Sequence, residues 1–426
     1  MNRRQICTGQ GAQGGTPQAR VQLAGAVASA AAHASSADTT GRLSAQTVAL
    51  MTRAGFARHF VPEVWHGTEG TFSDLLTQIA AVGEGCASAA WCAALWASHG
   101  RYAAQLPLDG QLDLWGRSPD VRIAAALRPS GSATRCTGGW LLHGAWDCVS
   151  GVLDADWLLL AAPEPDRPGL PGGRARLFAV PAADIQVQQT WRSTGMRGTA
   201  SHTAVLDSPV TVPDHRTCSL ADVLAGTPGP GRSRCHTAPA HLGTGLLLCA
   251  PALGAARHAL REWTEWAARR GAGRPSERAT LQLTLAQSAD DIEAAGLLLA
   301  DAALRADSGT RAERDVARNR RIAAAAAQHL LTAVERLFRA AGHHACGPGP
   351  LERTWRDVHA LAAHQAVRRD TAAALYADSV FADFADRPAQ TPEPAGAALT
   401  TVALPATAAP RFTTHSAPAE VAAGAH

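Results

Sequence analysis

The chain contains no lysine: all 39 of its basic residues are arginine, set against 36 Asp and Glu, and alanine and glycine are used heavily. This pattern reads as a high-GC coding bias and carries no mechanism. Concentrated charge of one sign is also missing. A dispersed net charge of +3 is too small for a surface that grips phosphates, which excludes nucleic acid and anionic membrane as expected partners. Long apolar runs are absent too. Leu246 to Leu260 is interrupted by Pro251, Arg257 and His258, so nothing approaches the roughly 20 residues that span a bilayer. No G-x-S-x-G elbow and no G-x-x-x-x-G-K-[ST] loop occurs, leaving hydrolase and nucleotide-triphosphatase readings without support. His343, His344 and Cys346, with His359 and His364, fit no zinc-ligand spacing. The nine cysteines are odd in number and unpaired in spacing, and no secretory leader is read ahead of them. A reducing cytoplasm is therefore the expected compartment.

What remains is an ordinary globular composition, 46% hydrophobic and 5% aromatic over 426 residues, enough for two or three domains. Residues 1–18 are polar and Gly-rich and are expected to be disordered. Their G-x-G-x-x-G pattern (Gly9, Gly11, Gly14) comes after no strand, so it does not read as a dinucleotide site. Helical periodicity marks 19–117, with a break at Gly85 and a helix from Cys86 to His99. Over 118–222 the texture turns to short β-rich runs (Val121 to Leu127, Trp140 to His143, Val152 to Leu160, Leu177 to Val180, Ala204 to Leu206), which predict a small sheet or barrel. After a Gly- and Pro-rich linker at 226–234, four long helices are expected within 235–385: His236 to Arg269, Glu277 to Ala306, Arg311 to Ala341 and Leu351 to Phe384. Residues 386–426 are rich in Ala, Pro and Thr and are expected to form a disordered tail.

Several local motifs stand in a telling order. They are Gly85-Cys86-Ala87-Ser88-Ala89-Ala90-Trp91 with His99, then Pro129-Ser130-Gly131, Gly138-Gly139-Trp140 and Gly144-Ala145-Trp146-Asp147-Cys148-Val149-Ser150-Gly151. Trp191, Gly195-Met196-Arg197-Gly198-Thr199-Ala200-Ser201, Val212-Pro213, Arg336-Leu337-Phe338, Gly342, Pro350-Leu351-Glu352-Arg353 and Arg356-Asp357 continue the run. In these motifs, spread over about residues 20 to 385, the chain resembles the acyl-CoA dehydrogenase superfamily, and within it the two-component monooxygenases that use flavin reduced by a separate reductase. The resemblance implies an α+β fold with an N-terminal helical domain, a middle β-barrel and a C-terminal four-helix bundle. It also implies flavin in the cleft between them and a homotetramer in which a neighbouring bundle completes the site.

Acyl-CoA dehydrogenases remove a substrate α-proton with a bundle Glu, since a carbon acid needs a positioned base. Neither usual location holds one here: no Glu lies between Glu352 and Glu393, and no Asp or Glu between Asp222 and Glu262. Asp357 is nearby but belongs to an Arg-Asp pair that reads as structural. The resemblance instead points to His364, at the end of Arg356-Asp357-Val358-His359-Ala360-Leu361-Ala362-Ala363-His364, as the group that exchanges a proton with a phenol or amine substrate. That substrate attacks a C4a-hydroperoxide formed from reduced flavin and O2. On a helix, His359 is turned about 140° from His364 and is assigned to packing. His99 matches a histidine over the flavin and substrate pocket; a cation complementing a helix C-terminus explains it equally well. Ser150 matches a hydroxyl at the flavin N5 edge, and as a residue before Gly151 it also suits a turn. Trp146 and Ser130 fall where the ring is approached, although Ala124 to Ala126 replace a hydroxyl residue found in some relatives. Arg269 and Gly342 match the bundle's contacts with the cofactor's phosphate end, with no aromatic residue following Arg269.

The expected function is thus a monooxygenase using reduced FMN or FAD, O2 and a partner NAD(P)H flavin reductase to hydroxylate an aromatic, polyketide-like or amine molecule. By analogy alone, secondary metabolism such as antibiotic biosynthesis is its setting. Two alternatives stay open: a flavin desaturase acting on a thioester, and a non-catalytic family member.

Overall fold

The computed structural model describes residues 16–164, 174–229, 231–270 and 275–385. The Gly9, Gly11, Gly14 pattern and the 386–426 tail lie outside these residues, as do residues 1–15 of the expected disordered terminus. Five helices come first: α1 (Pro17–Thr40), α2 (Ala45–Arg53), α3 (Phe72–Gly85), α4 (Ala87–Ala103) and α5 (Leu108–Trp115). Their starts are set locally. Thr16, Ser44 and Thr71 accept backbone N–H groups of the first turns of α1, α2 and α3. Helix α3 has a second cap from far along the chain, because the Asp307 carboxylate accepts Phe72 N–H at 2.8 Å and Ser73 N–H at 3.1 Å.

Eight strands come next: β1 (Ile123–Ala126), β2 (Ser132–Cys136), β3 (Gly139–Val149), β4 (Trp157–Pro163), β5 (Ala175–Pro181), β6 (Gln186–Gln188), β7 (His202–Pro213) and β8 (Thr217–Ser219). They form two four-stranded sheets, ordered β1-β4-β5-β8 and β2-β3-β7-β6, where the sequence pattern predicts a small sheet or barrel and the family resemblance implies a barrel. All pairings are antiparallel except β1 with β4. Alternation in β4 explains the layering. Leu158 and Leu160 pack in a core shared with Trp140, Leu142 and Trp146 of the second sheet, while Leu159 and Ala161 face Tyr102, Leu114 and Trp115 of the helical layer.

Helices then resume as α6 (Leu220–Ala225), α7 (Arg234–Thr237), α8 (Ala240–Arg270), α9 (Pro275–Asp307), α10 (Glu313–Ala341), α11 (Pro350–Ala362) and α12 (Arg369–Ala385). The expected fourth bundle helix is therefore two helices. Its interruption falls at Ala363 to Arg368, so His364 stands beyond the end of α11. One hydrophobic core runs from α1, α3 and α4 into α8, α10 and α11, so the N-terminal helices and the bundle share their interior. Buried Asn319 pins the bundle by donating to Leu242 O and Ala302 O, each at 2.9 Å.

Helices α3 and α8 meet backbone to backbone. A methyl group on Gly254 would lie 2.0 Å from Ala80 O, and one on Gly83 would lie 2.7 Å from Pro251 O. Gly254→Ala gains helix propensity of about 1 kcal/mol, yet it sets a methyl against a carbonyl that cannot turn aside. A net loss of about 1–3 kcal/mol is expected in chemical denaturation, with a lower midpoint.

Candidate functional site

The site is assembled where β3, the loop after Trp191 and the start of α4 meet α11. Strand β3 carries two register shifts, the second between Trp146 and Val149, with Cys148 at φ 59°. Such a bulge re-aims the side chains beyond it. Ser150 comes next, and its Oγ lies 3.2 Å from the donating Trp91 Nε1 and 2.8 Å from Ser201 Oγ. Gly151 N–H donates to Thr199 O at 2.7 Å, tying this turn to the segment 195–201. Ser201 Oγ is 2.7 Å from Thr199 Oγ1, which donates to Met196 O at 2.8 Å.

This segment is held against its own preference. Met196 and Ala200 both sit in the left-handed region, at φ 54° and 46°, a conformation costing about 1–2 kcal/mol per non-glycine residue. Asp357 secures it: its carboxylate, 5% exposed, accepts Met196 N–H at 2.5 Å. Gly195 makes the approach possible, because a Cβ there would lie 2.1 Å from Arg356 O. Arg356 closes the joint from the other side by pairing with Asp38 of α1 at 2.8 Å and with Glu352, and by donating to Thr194 O at 2.6 Å. Burial pushes the Asp357 carboxyl up to about 6 against the opposing Met196 hydrogen bond.

His364 reaches the same place from α11. Its ring stands edge-on to Trp91 with centroids 5.3 Å apart. Trp91 thus joins Ser150 to His364, two residues that the sequence selects from distant motifs. The imidazole caps the turn Gln365–Val367, its Nδ1 accepting Ala366 N–H at 3.2 Å. A neutral ring with Nδ1 accepting carries its hydrogen on Nε2, and burial pushes this histidine below its ordinary value.

His99 shows the opposite polarity. Its Nδ1 lies 2.7 Å from Ile123 O, a carbonyl that only accepts, so Nδ1 holds the hydrogen and Nε2 is bare. It sits inside α4, four residues before the end, eight residues from Trp91 and so about 12 Å farther along the axis. At 4% exposure, burial pushes it down to about 4. The reading of a cation at a helix C-terminus therefore does not hold.

The other expected residues lie elsewhere or act through a neighbour. Trp146 is 1% exposed and donates to Ala161 O at 2.8 Å, while Ser130 donates its hydroxyl to Ala145 O at 2.7 Å. Trp146 backs the Ser130–Gly131 loop, since a Cβ on Gly131 would lie 2.9 Å from its ring. Arg269 is 73% exposed on the last turn of α8, 3.9 Å from Glu265. Gly342 opens the turn 342–345, and Trp266 of α8 stacks on His344 there with centroids 5.5 Å apart, so Arg269 and Gly342 share one end of the bundle. Among the described residues neither contacts Trp91, Ser150 or His364 through a hydrogen bond, ion pair or ring.

His344, His359 and His364 pack on three different tryptophans, Trp266, Trp355 and Trp91, and among the described residues no cluster of three His, Cys, Asp or Glu is placed to hold a metal. His359 lies against Trp355 and 3.4 Å from Glu335, away from His364. Surface hollows of about 450 and 620 Å3, beside Arg122 and Asp156 and beside Glu335 and His359, contain none of the candidate residues. Sequence reasoning assigns no chemical role to Trp91, Thr199, Ser201 or Met196. Their signal is present as the Gly85–Trp91 run and as the Gly195–Ser201 run, the latter with hydroxyls two residues apart.

Buried groups at this joint set its response to mutation and pH. Asp357→Ala strands Met196 N–H without a partner and should cost about 1–3 kcal/mol in denaturant titrations. Because His99 titrates near 4 when folded and at its ordinary 6.5 when unfolded, the unfolded chain binds the extra proton between those values. This component of stability is complete above pH 6.5 and is lost as pH falls toward 4. Asp357, shifted upward, acts in the opposite sense, so the comparison is made with a variant. His99→Gln should lose about 2 kcal/mol less than the native chain between pH 7 and 4.5.

Comparison with known proteins identifies the family of the chain. Residues 246–369 match the family model "Acyl-CoA dehydrogenase, C-terminal domain". The oxygenase component of the FADH2-dependent resorcinol hydroxylase of Rhizobium sp. strain MTP-10005 is 30% identical over 84% of this chain and 94% of its own length. The crystal structure of 3-HSA hydroxylase from Rhodococcus sp. RHA1 is similar with a TM-score of 0.78 at 25% identity, covering 86% of this chain and 97% of that one. XiaF from Streptomyces sp., solved in complex with FADH2 and glycerol, matches with a TM-score of 0.78 at 25% identity over 85% and 95%. The chain belongs to the acyl-CoA dehydrogenase superfamily, among the oxygenase components of the two-component flavin-dependent monooxygenases.

Proposed function

We propose that this chain hydroxylates an aromatic or polyketide-like small molecule, taking reduced FMN or FAD from a separate NAD(P)H flavin reductase. The observation that carries the reading is the convergence of Ser150 and His364 on Trp91, in a chain with no Glu at either usual place for a dehydrogenase base. The donor set suits a flavin: an indole, a chain of hydroxyls, two neutral imidazoles, and an exposed guanidinium at Arg269 for a phosphate. When bound, reduced flavin supplies the electrons that activate O2 through a C4a-hydroperoxide, one oxygen atom passing to the substrate and the other leaving as water.

Within this reading the two histidines divide the proton work. His99 offers a bare Nε2, which accepts a phenol hydrogen, and His364 offers Nε2–H, which donates to an oxygen. Ser130, with Trp146 behind it, shapes the approach to the ring, and Gly342 and Arg269 serve the phosphate end. The thioester desaturase reading is disfavoured, because no Glu lies between Glu352 and Glu393 and no Asp or Glu between Asp222 and Glu262, where the base would stand. A homotetramer is supported by α9, where Leu283, Leu297 and Leu304 recur at multiples of seven residues and stay about 60% exposed or more. A cytoplasmic setting is supported by the cysteines, which are all free thiols among the described residues.

The test is to mix flavin-free protein anaerobically with reduced FMN or FAD, add oxygen and follow near-ultraviolet absorbance by stopped flow. A long-lived intermediate band is expected. Immediate reoxidation would move weight to dehydrogenation, and failure to bind either flavin would sink both enzymatic readings. His364→Ala should keep flavin binding while hydroxylated product from a phenol panel falls by about 10²–10⁴-fold. In light scattering, Leu297→Glu with Leu304→Glu should reduce the assembly to a smaller species; an unchanged mass would remove α9 from the interface.

A further inference from the structure

The hydroxyl chain behind Ser150 has a direction, and it is fixed by the number of hydrogens available. A carbonyl only accepts, so the 2.8 Å contact of Thr199 Oγ1 with Met196 O uses the one hydroxyl hydrogen of Thr199. Ser201 must then donate across the 2.7 Å contact with Thr199, and Ser150 across the 2.8 Å contact with Ser201. Trp91 Nε1, which only donates, points at Ser150 Oγ at 3.2 Å. Ser150 is left with a lone pair and no hydrogen to offer.

The far end of the chain cannot rotate to reverse this order. Met196 O also receives Trp191 Nε1–H and Thr199 N–H, each at 3.2 Å, and Met196 N–H is held by Asp357. The hydroxyls are thus ordered outward from the Met196 carbonyl, on a residue whose N–H is held as well.

We propose that Thr199 and Ser201 are positioning residues that make Ser150 an acceptor-only group, so that the site selects reduced flavin over oxidised flavin. The inference rests on the reading above that Ser150 meets the flavin N5 edge. Reduced flavin carries a hydrogen on N5 and gives it to the Ser150 lone pair. Oxidised flavin presents a lone pair at N5, which meets that of Ser150 without a hydrogen between them.

The experiment measures dissociation constants of oxidised and anaerobically reduced FMN and FAD for the native chain and four variants. The native chain should bind the reduced form more tightly. Ser201→Ala frees the Ser150 hydrogen, and Thr199→Val lets Ser201 donate back to Ser150; both allow Ser150 to donate outward. Each should lower the oxidised-to-reduced ratio of dissociation constants by about tenfold, equivalent to a shift of about 30 mV in the bound two-electron midpoint potential. Thr199→Ser keeps the donor order and should keep the native ratio. If Ser150→Ala lowers the ratio while Thr199→Val and Ser201→Ala leave it at the native value, the ordered chain is overturned and the flavin placement stands. If Ser150→Ala also leaves the ratio unchanged, Ser150 does not meet N5, and the placement falls together with the proposal.

Discussion

Asp357 is buried at the meeting of α11 with the 195–201 segment, and its acceptance of Met196 N–H is the contact on which the site depends. It holds the N–H of Met196, one of two non-glycine residues of this segment in the left-handed region, and the carbonyl of that same residue is the acceptor for Thr199. The order of Thr199, Ser201 and Ser150 starts from the carbonyl of that one residue. Arg356 reinforces the joint through Asp38, so α1, α11 and the β-rich segment are locked by adjacent residues of opposite charge. Burial raises the Asp357 carboxyl toward 6, a sign that this joint forms against a desolvation cost and is held by geometry.

The two candidate histidines are arranged to stay neutral. His99 and His364 are both shifted downward by burial, and the backbone decides where each hydrogen resides: the Ile123 carbonyl accepts from Nδ1–H of His99, and the Ala366 amide donates to the bare Nδ1 of His364. In the proposed hydroxylation, a neutral imidazole at His364 suits proton exchange with a phenol or amine. A thioester α-carbon calls instead for a carboxylate base, and neither usual location in the bundle holds a Glu.

Much of the fold is legible in sequence because long helices and central strands announce themselves by period. The Gly85 break separates α3 from α4, and the cores of β1, β3, β4, β5 and β7 lie in the five β-rich runs. The three strands that periodicity does not reveal, β2, β6 and β8, all lie at sheet edges. They are short and largely exposed or polar, as strands with one partner are, so they carry no apolar alternation to detect. The division of the last bundle helix is hidden for a different reason. Nothing between Ala362 and Arg369 is a proline or glycine, and the break is maintained by the His364 cap and by Val367 buried in the bundle core.

For the site, local wording in the sequence determined the residue types: the Trp146 to Gly151 run, the Gly195 to Ser201 run, and a histidine after Arg356-Asp357 in place of a glutamate. Those choices need only chain neighbours, since they rest on motif order and on which acids are absent. Tertiary structure alone decided that Trp91 bridges Ser150 and His364, that Trp146 is interior support, and which nitrogen of each histidine carries hydrogen. The physical reason is that hydrogen-bond polarity depends on what faces each group. Ile123 O, Met196 O and Asp357 come to His99, Thr199 and Met196 from 24, 3 and 161 residues away, and only the packed chain sets them there.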